Sequence, residues 1–176
     1  NRAGGEDFNE VVFDNVLVPK DRIVGEPGNG WQQVTSELAY ERSGPERFLS
    51  SFRVFVELVR ICGDNPSPHQ AAAIGRIASH FMTLRRMSLS VAGMLEAGKD
   101  VGVEAALVKE LGNNFEKVLP EIARLVVPDL SAVDAERQRL FRETFEETLM
   151  LSPSFTLRGG TREILRGVIA RGLGLR

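Results

Sequence analysis

Ile74, Ile77, Phe81, Leu84, Ser88, Val91 and Leu95 follow one another at alternating steps of three and four residues. That repeat lays side chains along one face of an α-helix. A stripe sustained this long rules out a strand and requires a second apolar surface to cover it. Three further segments keep the same period. Trp31, Val34 and Leu38 run on to Phe48, Phe52, Phe55 and Val59, with Gly44-Pro45 between them predicting a kink. Leu107, Leu111, Phe115, Val118, Ile122 and Leu125 predict a helix from about Val103 to Val126, with Pro120 inside it. The fourth starts near Ser131, with Asp134 as its capping partner, and reaches about Leu151. A short helix follows Gly159-Gly160-Thr161. Four amphipathic helices with short breaks between them predict an all-α fold, an antiparallel four-helix bundle with a short terminal helix.

The opening of the chain has a different pattern. Val11, Phe13 and Leu17 fall mostly on one face and Val12, Val16 and Val18 on the other, and Pro19 closes the run. A strand apolar on both faces needs a sheet, and no other part of the chain supplies one. Residues 1–30 are therefore expected to be the remnant of a β domain and its connector, and residues 31–176 the bundle. Asn1–Gly5 has turn character and no start methionine, so the chain is expected to be a piece of a longer protein.

Charge and composition exclude several function classes. With 22 Lys and Arg against 24 Asp and Glu, the net charge is −2, which argues against nucleic acid as a partner. No apolar run reaches the length of a membrane span. The single cysteine, Cys62, has no internal partner, which points to a reducing cytoplasm. His69 and His80 have no Cys or His at ligand spacing, so no metal site is expected and structural or solvated roles are assigned to both.

Two segments carry chemistry. In Gly159-Gly160-Thr161-Arg162-Glu163-Ile164-Leu165-Arg166, two glycines allow a ligand to approach the backbone closely. Thr161 is a good cap, and Glu163 suits the positive end of a helix dipole. A phosphate or nucleotide resting on the helix start is one reading; a capped glycine turn is the plainer one. The other segment is the strand ending at Val18-Pro19, with Val24-Gly25, Gly30-Trp31 and Glu41-Arg42 downstream.

Taken together, the two segments resemble the acyl-CoA dehydrogenase family. The first is similar to the join between that family's middle β domain and its carboxyl-terminal bundle. The second is similar to its Gly-Gly-Thr-x-Glu-Ile-x-Arg signature. The resemblance covers nearly the whole chain, and it implies an oxidoreductase of fatty acid and lipid metabolism. In this family a carboxylate removes the α-proton of an acyl-CoA thioester as the β-hydrogen leaves for the flavin of FAD. Most members place the carboxylate at the position of Gly159, which has no side chain. A minority place it on the first bundle helix before an arginine, and Glu41-Arg42 matches that arrangement. The resemblance therefore implies Glu41 as general base and Arg42 and Gly160 beside the substrate, Arg42 in a supporting role. It places Thr161, Arg162 and Glu163 on the FAD side. Electron-transfer flavoprotein is the implied electron acceptor, although an oxidase stays open. Members with this base handle branched, long or bulky acyl chains, so a branched or sterol-derived substrate is expected.

The chain departs from the family twice. An Arg-x-x-Phe-Gly motif before the second bundle helix is missing from residues 62–68. A Gly-Gly-x-Gly loop is missing from residues 126–130. In homotetrameric members both touch a neighbour's FAD. The departures leave open a homo-oligomer, a hetero-oligomer, and a non-catalytic scaffolding subunit.

Overall fold

A computed structural model describes residues 4–6 and 9–175. The expectations for Asn1–Gly5 and for the start of the strand include Asn1, Arg2, Ala3, Asp7 and Phe8, which lie outside the described residues. Six α-helices follow in order: α1 (Gly30–Ser43), α2 (Phe52–Cys62), α3 (Pro68–Glu96), α4 (Gly102–Val126), α5 (Ala135–Leu151) and α6 (Arg162–Gly172). None is long and apolar enough to cross a membrane. Helix α4 is the centre, packing against α1, α3 and α6, while α5 covers α2.

The expected bundle is present, with its first helix divided. Gly44-Pro45 separates α1 from α2 through a 3-10 turn, Pro45–Arg47. The break resets the helical phase, so α2 buries Val54, Leu58 and Ile61 instead of Phe52 and Val59. Phe52 and Phe55 instead join an aromatic group with Phe81, at centroid distances of 5.1 and 5.5 Å. Trp31 and Val34, on the first turns of α1, are exposed.

Helix α3 follows the sequence pattern closely, burying Ile77, Phe81, Leu84 and Val91. Its start is a capping box. Ser67 Oγ accepts from the Gln70 backbone N–H, and the Ser67 N–H donates to Gln70 Oε1 at 2.8 Å. Asp134 alone caps α5, accepting from the Arg137 N–H at 3.0 Å, and Ser131 belongs to a separate turn, Leu130–Ala132.

Helix α4 departs most from the pattern. Leu111, Val118 and Leu125 of the expected stripe are exposed, while Ala105, Val108, Leu119, Ala123 and Val126 are buried. Lys109, Asn113 and Glu116 are fully buried as well. A central helix has neighbours on most sides, so its polar row is enclosed along with its apolar one.

The β-rich opening forms no strand among the described residues. Val12, Phe13 and Leu17 stay exposed and Asn15 takes φ 49°. A strand needs a ladder partner for its N–H and C=O groups, and the described chain is helical elsewhere.

Candidate active site

Glu41 lies in the last turn of α1 and Gly159 lies in the connector before α6, 118 positions later in the sequence. The fold brings them together. A Cβ placed on Gly159 would stand 2.8 Å from Glu41 Oε1. The carboxylate of Glu41 thus occupies the space that a side chain at position 159 would enter. Gly159 (φ 61°) and Gly160 (φ 108°) both take left-handed conformations, which let the connector turn tightly over α1.

Arginines fix both sides of this contact. Arg42 Nε donates to the Gly159 carbonyl at 3.1 Å, tying the glycine connector to α1. Arg47, in the turn after α1, donates from Nε to the Glu41 carbonyl at 2.8 Å. Its Nη2 meets Glu41 Oε1 at 2.5 Å. Arg47 is buried whereas the Glu41 side chain is 42% exposed, so the carboxylate has a fixed base and an open tip. Arg47 can reach this position because Gly112 of α4 has no Cβ; one there would run into the Arg47 carbonyl.

Beneath the glycines lies a buried polar group from α4. Lys109 is fully enclosed and its Nζ donates to Asn113 Oδ1 at 3.2 Å. Its Cε would lie 3.2 Å from a Gly159 Cβ, close to the point that Glu41 Oε1 also approaches. Burial brings the Lys109 ammonium down to about 8; Arg47 and Arg158 push the same way, and Glu41 and Glu116 oppose them. Glu116 Oε1 accepts from the Ser50 N–H at 2.6 Å, and its Oε2 accepts from Arg158 Nη2 at 3.0 Å. Burial raises the Glu116 carboxyl above its ordinary range despite those bonds.

At the start of α6, Thr161 is the residue before the first turn, but its side chain makes no capping bond to the backbone. The exposed Glu163 carboxyl is held below its usual range by its own backbone N–H first and by Thr161 second. Arg162 donates from Nη2 to Glu110 Oε1 at 2.8 Å, and Arg166 Nε reaches the same oxygen at 3.0 Å. The expected cofactor-side residues are therefore adjacent, but the Arg162 guanidinium is directed to α4. Thr161 leaves the first amides of α6 without a side-chain cap, and such amides suit an anionic group of a cofactor or ligand. Among the described residues, no group of three His, Cys, Asp or Glu is placed to hold a metal ion.

The fold brings together Glu41, Arg42 and the glycine pair, which the sequence motifs single out, and sets beside them Arg47, Lys109, Asn113, Glu116 and Arg158, which no motif marks. Lys109, Asn113 and Glu116 do share one helical face, at steps of four and three. Such a polar row reads as a solvent face until a neighbour covers it.

No family model matches the chain. Curated relatives do. Acyl-CoA dehydrogenase IpdE1 of Mycolicibacterium smegmatis is 28% identical over 179 residues, covering 98% of this chain and 44% of that protein. Acyl-CoA dehydrogenase FadE34 of Mycobacterium tuberculosis is 28% identical over 172 residues, covering 97% of this chain and 23% of that protein. The chain thus spans less than half the length of either. Among solved structures, a glutaryl-coenzyme A dehydrogenase–glutaryl-CoA complex matches 93% of this chain and 42% of its own, with TM-score 0.71 and 19% identity. A Tcur3481-Tcur3483 steroid ACAD variant matches 90% of this chain and 43% of its own, with TM-score 0.69 and 22% identity. The solved structures share the helical fold, and the curated relatives carry the name to which the two motifs pointed.

Proposed function

We propose that this chain, a relative of the acyl-CoA dehydrogenases, is the carboxyl-terminal bundle of a flavin-dependent enzyme that oxidises an acyl-CoA thioester between Cα and Cβ. Residues 1–30 would then belong with a middle β domain and residues 31–176 with the bundle. The observation that carries the reading is the Glu41 carboxylate lying over the side-chain-less Gly159. A base has to reach the substrate from one place, whichever part of the chain supplies it. Here α1 provides the carboxylate and the α6 connector provides the gap.

Glu41 takes the α-proton on the carboxylate oxygen that Arg47 does not bind. The redox chemistry, uptake of the β-hydrogen as hydride, would be supplied by FAD when bound. Arg47 sets the direction of the carboxylate, and Arg42 holds the Gly159 carbonyl so that Gly160 and Thr161 face the thioester and cofactor side. A branched or sterol-derived acyl group and electron-transfer flavoprotein as acceptor complete the reading, in a reducing cytoplasm. The exposed row Leu111, Val118 and Leu125 on α4 supports assembly into an oligomer through the bundle.

A second reading, a scaffolding subunit of a heteromeric dehydrogenase, is favoured by the two motifs missing from residues 62–68 and 126–130. Glu41→Gln in the full-length assembly, with any partner chain present, separates the two. It keeps size and hydrogen bonding but removes the proton acceptor, so turnover should fall by about 10²–10⁴-fold with flavin content unchanged. Turnover within a few-fold of wild type would show Glu41 to be a surface residue and favour the scaffold.

A further inference from the structure

Lys109 has no part in the chemistry described so far, and it is the most completely enclosed cation near the site. It is 0% exposed, in the middle of α4. Among the described residues its one hydrogen-bond acceptor is Asn113 Oδ1, at 3.2 Å, and the Nδ2 of that Asn113 is buried with no partner among them. Among the described residues, no carboxylate forms an ion pair with it. The two nearby carboxylates are bound elsewhere, Glu41 to Arg47 and Glu116 to Ser50 and Arg158.

Burying an ammonium without a direct counter-charge is costly, and a methionine of similar length would fill the same space without that cost. The location gives the charge a use. The Lys109 stem and the Glu41 carboxylate converge on the point where a Gly159 side chain would begin. Around Lys109 stand Glu41 from α1, Arg47 from the turn after it, Arg158 from the α6 connector, and Glu116 and Asn113 from α4. Arg47 grips Glu41 from the α1 side, and Lys109 faces it from below the glycines.

We propose that Lys109 is a positioning residue for Glu41, a sealed cation on the α4 side that holds the carboxylate over Gly159. The proposal rests on the reading of Glu41 as the base. The Glu41 carboxylate and the Lys109 ammonium attract each other without direct contact, and that attraction opposes the burial that brings the ammonium down.

The test uses the full-length protein. Lys109→Met should lower kcat for an acyl-CoA thioester by about tenfold with KM little changed, since a misplaced base loses rate rather than binding. Lys109→Arg, which keeps the charge, should recover most of the lost kcat. A Met variant with kcat unchanged, or an Arg variant no better than Met, would show Lys109 to be a packing residue and overturn the proposal. Should the Met variant not fold, the coupling can be read from the other side by ¹³Cε-lysine NMR. Glu41→Gln should lower the Lys109 titration midpoint, because coupling between two sites is reciprocal. An unmoved midpoint would overturn the proposal. The failure of Glu41 as base is a separate result, seen as undiminished turnover of Glu41→Gln.

Discussion

Glu41 Oε1 lies 2.8 Å from where the first side-chain atom of Gly159 would be. Two segments far apart in sequence therefore compete for one volume, and a side chain at one excludes the carboxylate of the other. The absence of a side chain at position 159 and the presence of a carboxylate at position 41 are two halves of one arrangement.

Gly159→Ala tests that exclusion. Its φ of 61° costs a non-glycine residue roughly 1–2 kcal/mol. The new methyl would also displace the carboxylate, and a 1 Å misplacement at a reacting group costs about 10²-fold in rate. The expected result is a modest drop in Tm with a disproportionate loss of kcat. A Gly159→Ala protein with wild-type kcat would show that the carboxylate position does not matter.

Gly112→Ala should behave against the usual rule. In a helix interior this change commonly stabilises by about 1 kcal/mol. Here the methyl would run into the Arg47 carbonyl and lie 3.2 Å from Phe48 Cβ. Thermal unfolding should show a lower Tm, and turnover should fall because Arg47 orients Glu41. An unchanged or raised Tm would mean that the Pro45–Arg47 turn moves away at little cost.

Arg158→Met should leave Glu116 buried with Ser50 as its remaining partner. Breaking a buried pair in this way costs about 3 kcal/mol. Burial has raised the Glu116 carboxyl above its ordinary 4.5 in the folded chain. Its contribution to stability is therefore complete below 4.5 and is lost as pH rises through the higher folded value. The deficit of the variant should be small in acid and large at neutral pH in urea unfolding, and a deficit independent of pH would contradict the assignment.

Lys109 gives the opposite pH signature. Its folded value, about 8, lies below its ordinary 10.5. A depressed group contributes stability that is complete above 10.5 and lost as pH falls through about 8. Relative to Lys109→Met, the wild type should therefore gain stability between pH 8 and 10.5. At about 1.4 kcal/mol per pKa unit the gain is roughly 3 kcal/mol. Parallel denaturant titrations of the two proteins at pH 7.5 and 10.5 would measure it, and identical pH dependence would place Lys109 in contact with solvent.

The sequence carried the bundle because its evidence is local. The stripe from Ile74 to Leu95 and the breaks at Gly63, Gly98 and Pro128 need only the 3.6-residue helical repeat to be read. The same holds for the glycine pair before α6, and for Glu41-Arg42 once that pair was set beside the second motif. What the sequence could not supply was the phase of elements with several neighbours. Phe52 and Val59 were expected inside, but the break at Gly44-Pro45 turned α2 so that Val54 and Leu58 are buried. Leu111, Val118 and Leu125 were expected inside, but α1, α3 and α6 close around the other faces of α4 and enclose Lys109, Asn113 and Glu116. Burial of a polar row depends on which neighbour arrives, and that is set by packing across more than a hundred residues. The sequence by itself determined that the chain forms amphipathic helices and carries a carboxylate before an arginine at the end of the first. Only the tertiary structure decided that this carboxylate meets Gly159 above a buried lysine, because such a meeting is a long-range contact with no local periodicity to announce it.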